Sequence, residues 1–337
     1  MKTQYANAVT QYENGTSLGG RIIKEGGLVV FPTETVYGLG ANGLNSEAVL
    51  RIFAAKGRPA DNPLILHIAK KSELKPLWSH VPDNARILAD TFWPGPLTMI
   101  FNRSSIVPDE VTAGLDTVAV RMPLNKTARA LITAPSANLS GKPSPTTAEH
   151  VRQDMDGRVD LIIDGGPCKY GLESTVVSLI GRPTILRPGA VTKEMLEAVI
   201  GPVDVAHAVL SPLREGETAA SPGMKYRHYA PDAEVVVAEG REREIAAKIC
   251  REYDAREAAG EDCIIFATKQ TQPFYRGRNC VIIGDRTEPA TLCASLFYSL
   301  REYGDRADVI FAEALPNDDM GLAYMNRLLR SAGFNII

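Results

Sequence analysis

The sequence lacks the features that would place it in a membrane, a disulfide scaffold or a metal site. Its 337 residues include no run of about 18 apolar residues, and the first twenty are too polar for a signal peptide. We therefore expect a cytoplasmic protein without a membrane segment. The five cysteines are too far apart for a zinc site or a dithiol couple. We expect all of them to be reduced: Cys168, Cys250, Cys263, Cys280 and Cys293.

A strong excess of one charge is also lacking, as are the common hydrolase and nucleotide signatures. A formal net charge of −3 and a pI of about 6.0 argue against a surface coated for nucleic-acid binding, although a local basic cleft remains compatible. The patterns G-x-S-x-G and H-E-x-x-H are absent, which leaves triad and zinc hydrolysis without support. A Walker loop is absent too, because Gly141-Lys142 is followed by Pro143.

The chain does have enough apolar residues, 45%, to bury two cores, and its length favours two domains. From Leu28 onwards, strand-like and helix-like segments alternate, which indicates an α/β fold. We expect a first domain over residues 1–200, a linker over 201–231 and a smaller α/β domain over 232–337. Ser46 is the expected N-cap of the first helix after Leu28.

Two polar clusters suggest a nucleotide site. The first, KGRPADNPLILH over 56–67, places Lys56 and Arg58 on a proline-stiffened turn just before a buried strand. The second, PSANLSGKPSPT over 135–146, contains hydroxyl and amide side chains between proline and glycine residues. This composition is typical of a loop that donates hydrogen bonds to an anion. We interpret the two together as the place where a nucleotide binds.

Several cations fall at the predicted ends of helices or strands: Lys56, Arg58, Arg121, Lys142 and Arg187. ATP carries about four negative charges, and attack at phosphorus builds further charge that lysine and arginine stabilise. Each cation alone is more often a solvated surface charge. Their convergence in space would make them a site.

Other segments leave more than one interpretation open. GLGANG over 38–43 matches the dinucleotide pattern G-x-G-x-x-G, but the next helix begins only near Ser46 and Pro32 interrupts the preceding strand. PTETVYGLG over 32–40 offers hydroxyls and a carboxylate to a small polar ligand, or simply forms a turn. His67 is either a core histidine or a ligand for a carboxylate.

A series of motifs in order resembles the YrdC-like family of threonylcarbamoyl-AMP synthases: PTETVYGLG, KGRPADNPL, FWPGPLT, VAVRMP, APSANLSGKPSPT, ESTVV, LRPG and SPGMKYRHYAP. The resemblance spans nearly the whole chain and matches the long form. It implies an N-terminal YrdC-like twisted open α/β sheet domain and a smaller Rossmann-like α/β C-terminal domain. It also implies a nucleotidyltransferase that converts L-threonine, bicarbonate and ATP, with Mg²⁺, into threonylcarbamoyl-AMP and pyrophosphate.

The resemblance assigns roles to single residues by motif. The residues implied for L-threonine are Thr33, His67, Arg121, Ala134 and Ser174. The residues implied for ATP are Lys56, Arg58, Ala60, Thr117, Ser136, Asn138, Ser144, Arg187, Tyr226 and His228. Lys56 and Arg58 are also the implied catalytic residues, Tyr226 and His228 belong to a lid over the nucleotide, and no protein metal ligand is implied.

The implied product serves N6-threonylcarbamoyladenosine formation, so tRNA and the threonylcarbamoyl-transferase machinery are the expected partners downstream. A competing hypothesis is a module that binds double-stranded RNA or tRNA without nucleotide turnover, since a basic cleft could also grip phosphates. ATP turnover that depends on threonine separates the two hypotheses.

Overall fold

The computed structural model describes residues 2–131, 137, 139–212 and 229–337. Predicted site residues that lie outside them are Ala134, Ser136, Asn138, Tyr226 and His228. Across the described ranges, no helix has the length and hydropathy needed to cross a bilayer. The five cysteines, all of which lie in these ranges, are free.

The described residues divide into two compact units. The first contains residues 2–131, 137, 139–140 and 144–209, and the second contains 141–143, 210–212 and 229–337. Each unit has a hydrophobic core of its own, built from strands and the helices that cover them. The predicted α/β class is confirmed.

The first unit is a mixed α/β arrangement with two sheets. Its strands are β1 (Gln4–Asn7), β2 (Val29–Phe31), β3 (Gly38–Gly40), β4 (Ile65–His67), β5 (Leu97–Asn102), β6 (Thr117–Arg121), β7 (Leu161–Asp164), β8 (Thr175–Ser178), β9 (Thr184–Arg187) and β10 (Asp204–Val205). Its helices are α1 (Tyr12–Lys24), α2 (Ser46–Lys56), α3 (Leu74–Leu77), α4 (Asp83–Phe92), α5 (Asp109–Thr112), α6 (Lys126–Leu131), α7 (Ala148–Met155) and α8 (Lys193–Ile200). The sheet orders are β1-β7-β2-β3 and β10-β9-β8-β5-β6-β4.

Helix α2 brings the first polar cluster to the site. Its N-cap is Asn45, whose side chain accepts a hydrogen bond from Ala48 N at 3.1 Å, so the expectation that Ser46 caps the helix is wrong. Asparagine caps as well as serine does, and the Ser46 hydroxyl donates to Glu110 instead, at 2.8 Å. The helix ends at Gly57, which has a φ of 58° and adopts the left-handed conformation that favours glycine.

The glycine pattern at 38–43 does not form a dinucleotide site. Gly38 to Gly40 form the buried strand β3, which pairs antiparallel with β2. A dinucleotide site requires a strand that turns at once into a helix, so that the pyrophosphate meets the helix N-terminus. Here the first two glycines lie within a strand and α2 begins only at Ser46.

The start of the predicted linker is part of the first unit. Strand β10 runs parallel to β9, and Ala206 N donates to Ile185 O at 2.9 Å. The backbone of this segment therefore extends the six-stranded sheet. Residues 213–228 of the predicted linker lie outside the described residues.

The second unit is built on a four-stranded parallel sheet with the order β11-β14-β12-β13. Its strands are β11 (Glu234–Ala238), β12 (Cys263–Thr268), β13 (Cys280–Gly284) and β14 (Val309–Glu313). Its helices are α9 (Glu242–Ala258), α10 (Pro289–Tyr303) and α11 (Asp319–Ser331). Strands β12 and β14 are buried throughout, as expected for parallel strands covered on both faces.

Candidate active site

A line of residues crosses the six-stranded sheet of the first unit. The register aligns His67 with Arg121, Arg121 with Thr98, Thr98 with Val176 and Val176 with Arg187. Aligned residues on neighbouring strands point to the same face of a sheet. All of these residues are buried. We call this set the polar row, in which Val176 is the apolar member.

Arg121 joins the polar row to the loop between β2 and β3. Its Nη1 donates to Thr35 Oγ1 at 2.9 Å, and its Nη2 donates to Glu34 Oε1 at 2.5 Å. Its Nε donates to Gly95 O at 3.2 Å. The PTETVYGLG segment, carried by the first sheet, is thereby held against the polar face of the second sheet.

A second cluster forms around Ser174, which directly precedes β8. The Ser174 and Thr98 hydroxyls lie 2.8 Å apart, and Arg187 Nη2 donates to Ser174 Oγ at 3.2 Å. Arg187 Nε also donates to Ser174 O at 3.0 Å. Next to this serine, Glu173 accepts from the Ser144 hydroxyl at 2.6 Å. The predicted residues Ser144, Ser174 and Arg187 therefore lie together.

Backbone hydrogen bonds bring the polar clusters of the sequence together. Tyr37 N donates to Pro145 O at 2.9 Å, and Ala137 N donates to Tyr37 O at 2.8 Å. Ser140 N donates to Lys56 O at 3.1 Å. Residues 137 and 145 are thus tied to PTETVYGLG, and residue 140 is tied to the start of KGRPADNPL.

Three of the five predicted cations are buried, whereas Lys142 is exposed. Lys56 is only 2% exposed, and Arg121 and Arg187 are 4% and 6% exposed. Arg58 is half-buried, donates to Asn62 O at 3.0 Å and lies over the Phe53 ring at 5.8 Å. Burial of a cation is costly unless an anion compensates it, as Glu34 does for Arg121.

His67 is neutral in this environment. Burial, and then the nearby Arg121 charge, lower the pKa of His67 to about 3. Its Nδ1 lies 3.1 Å from Ile65 O, and since a carbonyl only accepts, Nδ1 carries the proton. The other ring nitrogen, Nε2, is therefore an acceptor. In this tautomer Nε2 suits a hydrogen-bond donor.

Two predicted ATP residues lie apart from the polar row. Thr117 is at the opposite end of β6 from Arg121, a separation of roughly 13 Å at the usual rise of a strand. Ala60 is exposed on the turn after Arg58. Lys142 belongs to the second unit.

The roles assigned to single residues left out Glu34, Thr35, Thr98 and Glu173, although PTETVYGLG as a segment was offered to a small polar ligand. Thr98 lies in the otherwise apolar run LTMIF and is fully buried. A single hydroxyl within such a strand was the available signal, because a buried hydroxyl needs a partner. Glu34 and Thr35 gave a weaker signal, since hydroxyls and carboxylates are ordinary turn residues.

A cavity of about 450 Å³ opens beside His67 in the first unit. Its lining is mostly apolar and includes Leu66 and Ile68, with Lys24 and Glu73 among its charged side chains. This volume suits a small ligand. A larger hollow of about 760 Å³, lined by Arg103, Asp109 and Glu110, is lined by none of the described residues predicted for the site.

The described residues offer no group of three or more histidine, cysteine or acidic side chains that could hold a metal ion. Glu173 contributes a single buried carboxylate beside the hydroxyls of Ser144 and Ser174. Mg²⁺ in nucleotide sites is commonly held by one or two carboxylates, water and the phosphates themselves. The residues present fit a magnesium ion that arrives with a triphosphate.

Two family models together match most of the chain. The Sua5/YciO/YrdC model, described as "Telomere recombination", matches residues 21–189. A model described as "Threonylcarbamoyl-AMP synthase, C-terminal domain" matches residues 191–333. The two matches follow one another along the chain, in the order of the two units.

Two similar proteins are both named threonylcarbamoyl-AMP synthase. The chain is 47% identical over 325 residues to a threonylcarbamoyl-AMP synthase of Pyrococcus abyssi, covering 94% of this chain and 93% of that protein. It is 46% identical over 326 residues to the Bacillus subtilis threonylcarbamoyl-AMP synthase, covering 94% and 92%. A crystal structure of P. abyssi Sua5 complexed with L-threonine superimposes with a TM-score of 0.92 at 44% identity, covering 100% of this chain and 99% of that one.

Proposed function

The chain belongs to the Sua5/YciO/YrdC family, in the form that carries the threonylcarbamoyl-AMP synthase C-terminal domain, and on that premise we propose that it makes threonylcarbamoyl-AMP. The observation that carries the proposal is the polar row, together with the hydroxyls and cations of the loops tied to it. The likeness to a Sua5 structure complexed with L-threonine supports threonine as the amino-acid substrate.

Arg121 and His67 are the proposed contacts for threonine. An arginine presents five N–H donors, and three bonds occupy one each on Nε, Nη1 and Nη2 of Arg121. In the described part of the chain its other two donors make no hydrogen bond, and they suit the threonine carboxylate. The acceptor Nε2 of His67 suits the threonine hydroxyl or ammonium group. Thr33 and Ser174 complete the proposed set with Ala134.

Lys56, Arg58 and Arg187 are the proposed partners of the ATP phosphates. Threonine and bicarbonate form the carbamate with loss of water and a proton. A carbamate oxygen then forms a bond to the α-phosphorus, and the bond to the bridging oxygen of pyrophosphate breaks. Buried cations stabilise the charge that builds on the phosphoryl oxygens, which is why we assign Lys56 and Arg58 a catalytic role. The products are threonylcarbamoyl-AMP and pyrophosphate.

Exclusion of water matters as much as charge, because a carbamate decomposes readily in water. The residues of the polar row are buried, so the reacting groups would meet in a site screened from solvent. Mg²⁺, bound with the triphosphate, would neutralise part of the phosphate charge. Ser136, Asn138, Ser144, Thr117 and Ala60, with Tyr226 and His228 as lid residues, remain predicted ATP contacts.

The wider role is also a proposal. We assign the enzyme to the nucleotidyltransferases and place it in the cytoplasm, where tRNA and ATP are available. Its product, a mixed anhydride of a carbamate and a phosphate, is an activated acyl group. We propose a transferase that moves this group to an adenosine of tRNA as the downstream partner.

The decisive measurement is release of pyrophosphate by the full chain. We expect release only when threonine, bicarbonate and ATP are all present, with threonylcarbamoyl-AMP detected by mass spectrometry. Arg187→Ala should abolish it, whereas Arg182→Ala, which removes an exposed arginine paired with Asp204, should leave it unchanged. ATP turnover indifferent to threonine would contradict the proposal. RNA binding without any turnover would instead favour the binding-module hypothesis.

A further inference from the structure

Glu34 and Arg121 form a buried ion pair within the first unit. Glu34 Oε1 lies 2.5 Å from Arg121 Nη2, and both side chains are 5% exposed. The pair connects the two sheets of the unit, because Glu34 follows β2 while Arg121 ends β6. Nothing in the motif-based assignment gives Glu34 a role.

Glu34 is itself held in place from several sides. Its second oxygen, Oε2, accepts from Asn125 N at 3.2 Å, and its backbone carbonyl accepts from Tyr170 N at 2.9 Å. Burial would raise the pKa of Glu34, but the Arg121 charge and backbone donors hold it below its ordinary value. The carboxylate is therefore charged and fixed in orientation at neutral pH.

Stability alone does not account for such a pair. Removing two charges from water costs several kcal/mol per ion, and their attraction offsets that cost only in part, so buried ion pairs contribute little net stability. What the pair does supply is orientation. Together with Thr35 and Gly95, Glu34 fixes three nitrogens of the guanidinium and leaves one donor on each Nη.

We propose that Glu34 is a positioning residue, which orients the Arg121 guanidinium so that its remaining donors receive the carboxylate of the amino-acid substrate. This inference rests on the proposed function, in which Arg121 binds threonine. Glu34 balances the charge of Arg121 and keeps the arginine from turning towards other acceptors. A misplacement of about 1 Å at such a contact can cost about a hundredfold in rate.

The test is Glu34→Gln, which keeps the shape of the side chain and removes its charge. We expect the KM for threonine to rise about tenfold to a hundredfold while the KM for ATP changes less than about twofold. A residue that served only the fold would lower kcat in proportion to the folded fraction and leave the KM for threonine unchanged. That result would overturn the inference.

The second unit offers a matched control. Glu313 is likewise a buried glutamate that faces an arginine, Arg286 at 3.5 Å. Glu313→Gln should leave both KM values as in the wild type. Threonine-dependent turnover of the wild type and of this control tests the proposed function separately, so its failure and failure of the inference are distinguishable.

A double-mutant cycle guards against loss of folding. In an Arg121→Lys background, Glu34→Gln should have little further effect on the KM for threonine, since the group that Glu34 orients is already gone. If Glu34→Gln does not fold, Glu34→Asp takes its place in the cycle. Glu34→Asp keeps the negative charge on a side chain that is one methylene shorter. We expect it to raise the KM for threonine less than Glu34→Gln does. Additive effects of the two positions would overturn the inference.

Discussion

The two units contain comparable pairs of buried residues with different electrostatics. In the first unit, Glu34 and Arg121 meet at 2.5 Å, and in the second, Glu313 and Arg286 meet at 3.5 Å. Burial raises the pKa of both carboxyl groups. In Glu34 the Arg121 charge and backbone donors outweigh burial and the pKa is lowered, whereas in Glu313 burial prevails and the pKa is raised.

The partners explain the difference. Glu313 accepts hydrogen bonds from the hydroxyls of Thr271, Tyr275 at 2.9 Å and Thr268 at 3.2 Å. These hydroxyls carry no net charge, so they stabilise a carboxylate less than a guanidinium does. Arg286 donates to Glu313 Oε2 only at 3.5 Å and, more closely, to Ala314 O at 2.8 Å. In the described part of the first unit, two Arg121 donors remain beside the polar row for a ligand, which is why we place substrate binding there.

Removal of the arginine from each pair should give the largest difference in stability between the two units. Arg121→Met leaves the charged Glu34 buried without its partner and should cost about 3–5 kcal/mol of unfolding free energy. Arg286→Met should cost only about 1 kcal/mol, because hydroxyls remain around Glu313 and a proton can neutralise it.

Each unit can be followed by itself in that experiment. Both tryptophans, Trp78 and Trp93, lie in the first unit, so their fluorescence in denaturant reports its unfolding. Hydrogen exchange of peptides from β14 and α11 reports the second unit. Equal losses of unfolding free energy in Arg121→Met and Arg286→Met would show that the two pairs do not differ in charge.

The pH dependence of stability should have opposite signs in the two units. Because the pKa of folded Glu34 lies below its ordinary value of 4.5, its contribution is present above that pH and is lost as the pH falls through the folded pKa. The pKa of folded Glu313 lies above 4.5, so its contribution is present below that pH and is lost as the pH rises through the folded pKa.

Glutamine variants isolate these contributions. Glu34→Gln should weaken the loss of stability of the first unit at acid pH. Glu313→Gln should remove a decline in the stability of the second unit as the pH rises above 4.5. Hydrogen exchange measured between about pH 4 and pH 8 follows both. The same sign of slope in both units would contradict the opposite pKa shifts of Glu34 and Glu313.

The sequence predicted local structure well because strands and helices leave a periodic pattern in neighbouring residues. Most segments from Leu28 to Val199 and those of the second unit were predicted in this way, but β3, α3 and α5 were not. Strand β1 and helix α1 were not predicted, because they lie in a stretch taken only as too polar for a leader. The division of the first unit into two sheets depends on strand pairing over long distances, which periodicity does not encode.

The candidate site was predicted as a set of motifs but not as a geometry. Glu34 and Arg121 are 87 residues apart in sequence, and Thr98 meets Ser174 across 76 residues. No local signal distinguishes a glutamate in a turn from one that holds an arginine. The register that aligns His67, Arg121 and Arg187 likewise emerges only when β4, β6 and β9 are placed in one sheet.

Loss of a single buried hydroxyl in each unit tests the same difference between the units with a smaller expected effect. Thr98→Val removes the partner of Ser174 at 2.8 Å, and Thr268→Val removes that of Thr271 at 2.9 Å. Each should cost about 1 kcal/mol of stability in its own unit. Only Thr98→Val should raise the KM for threonine, by a few fold, because Ser174 loses its orientation. A similar rise in Thr268→Val would place the second unit in substrate binding.

The smallest effect concerns His67, which lies beside the charged pair and yet should not titrate near neutrality. With a pKa of about 3, the ring stays neutral between about pH 6 and pH 8, because burial and Arg121 both oppose a second positive charge. The threonine amine adds its own pH dependence to turnover, so the measurement is the difference between two profiles. Wild type and His67→Gln should show parallel profiles of kcat/KM for threonine, displaced by a constant factor. An inflection between about pH 6 and pH 7 in the wild type alone would mean that His67 gains a proton there, and that the Glu34 charge outweighs that of Arg121 at the ring.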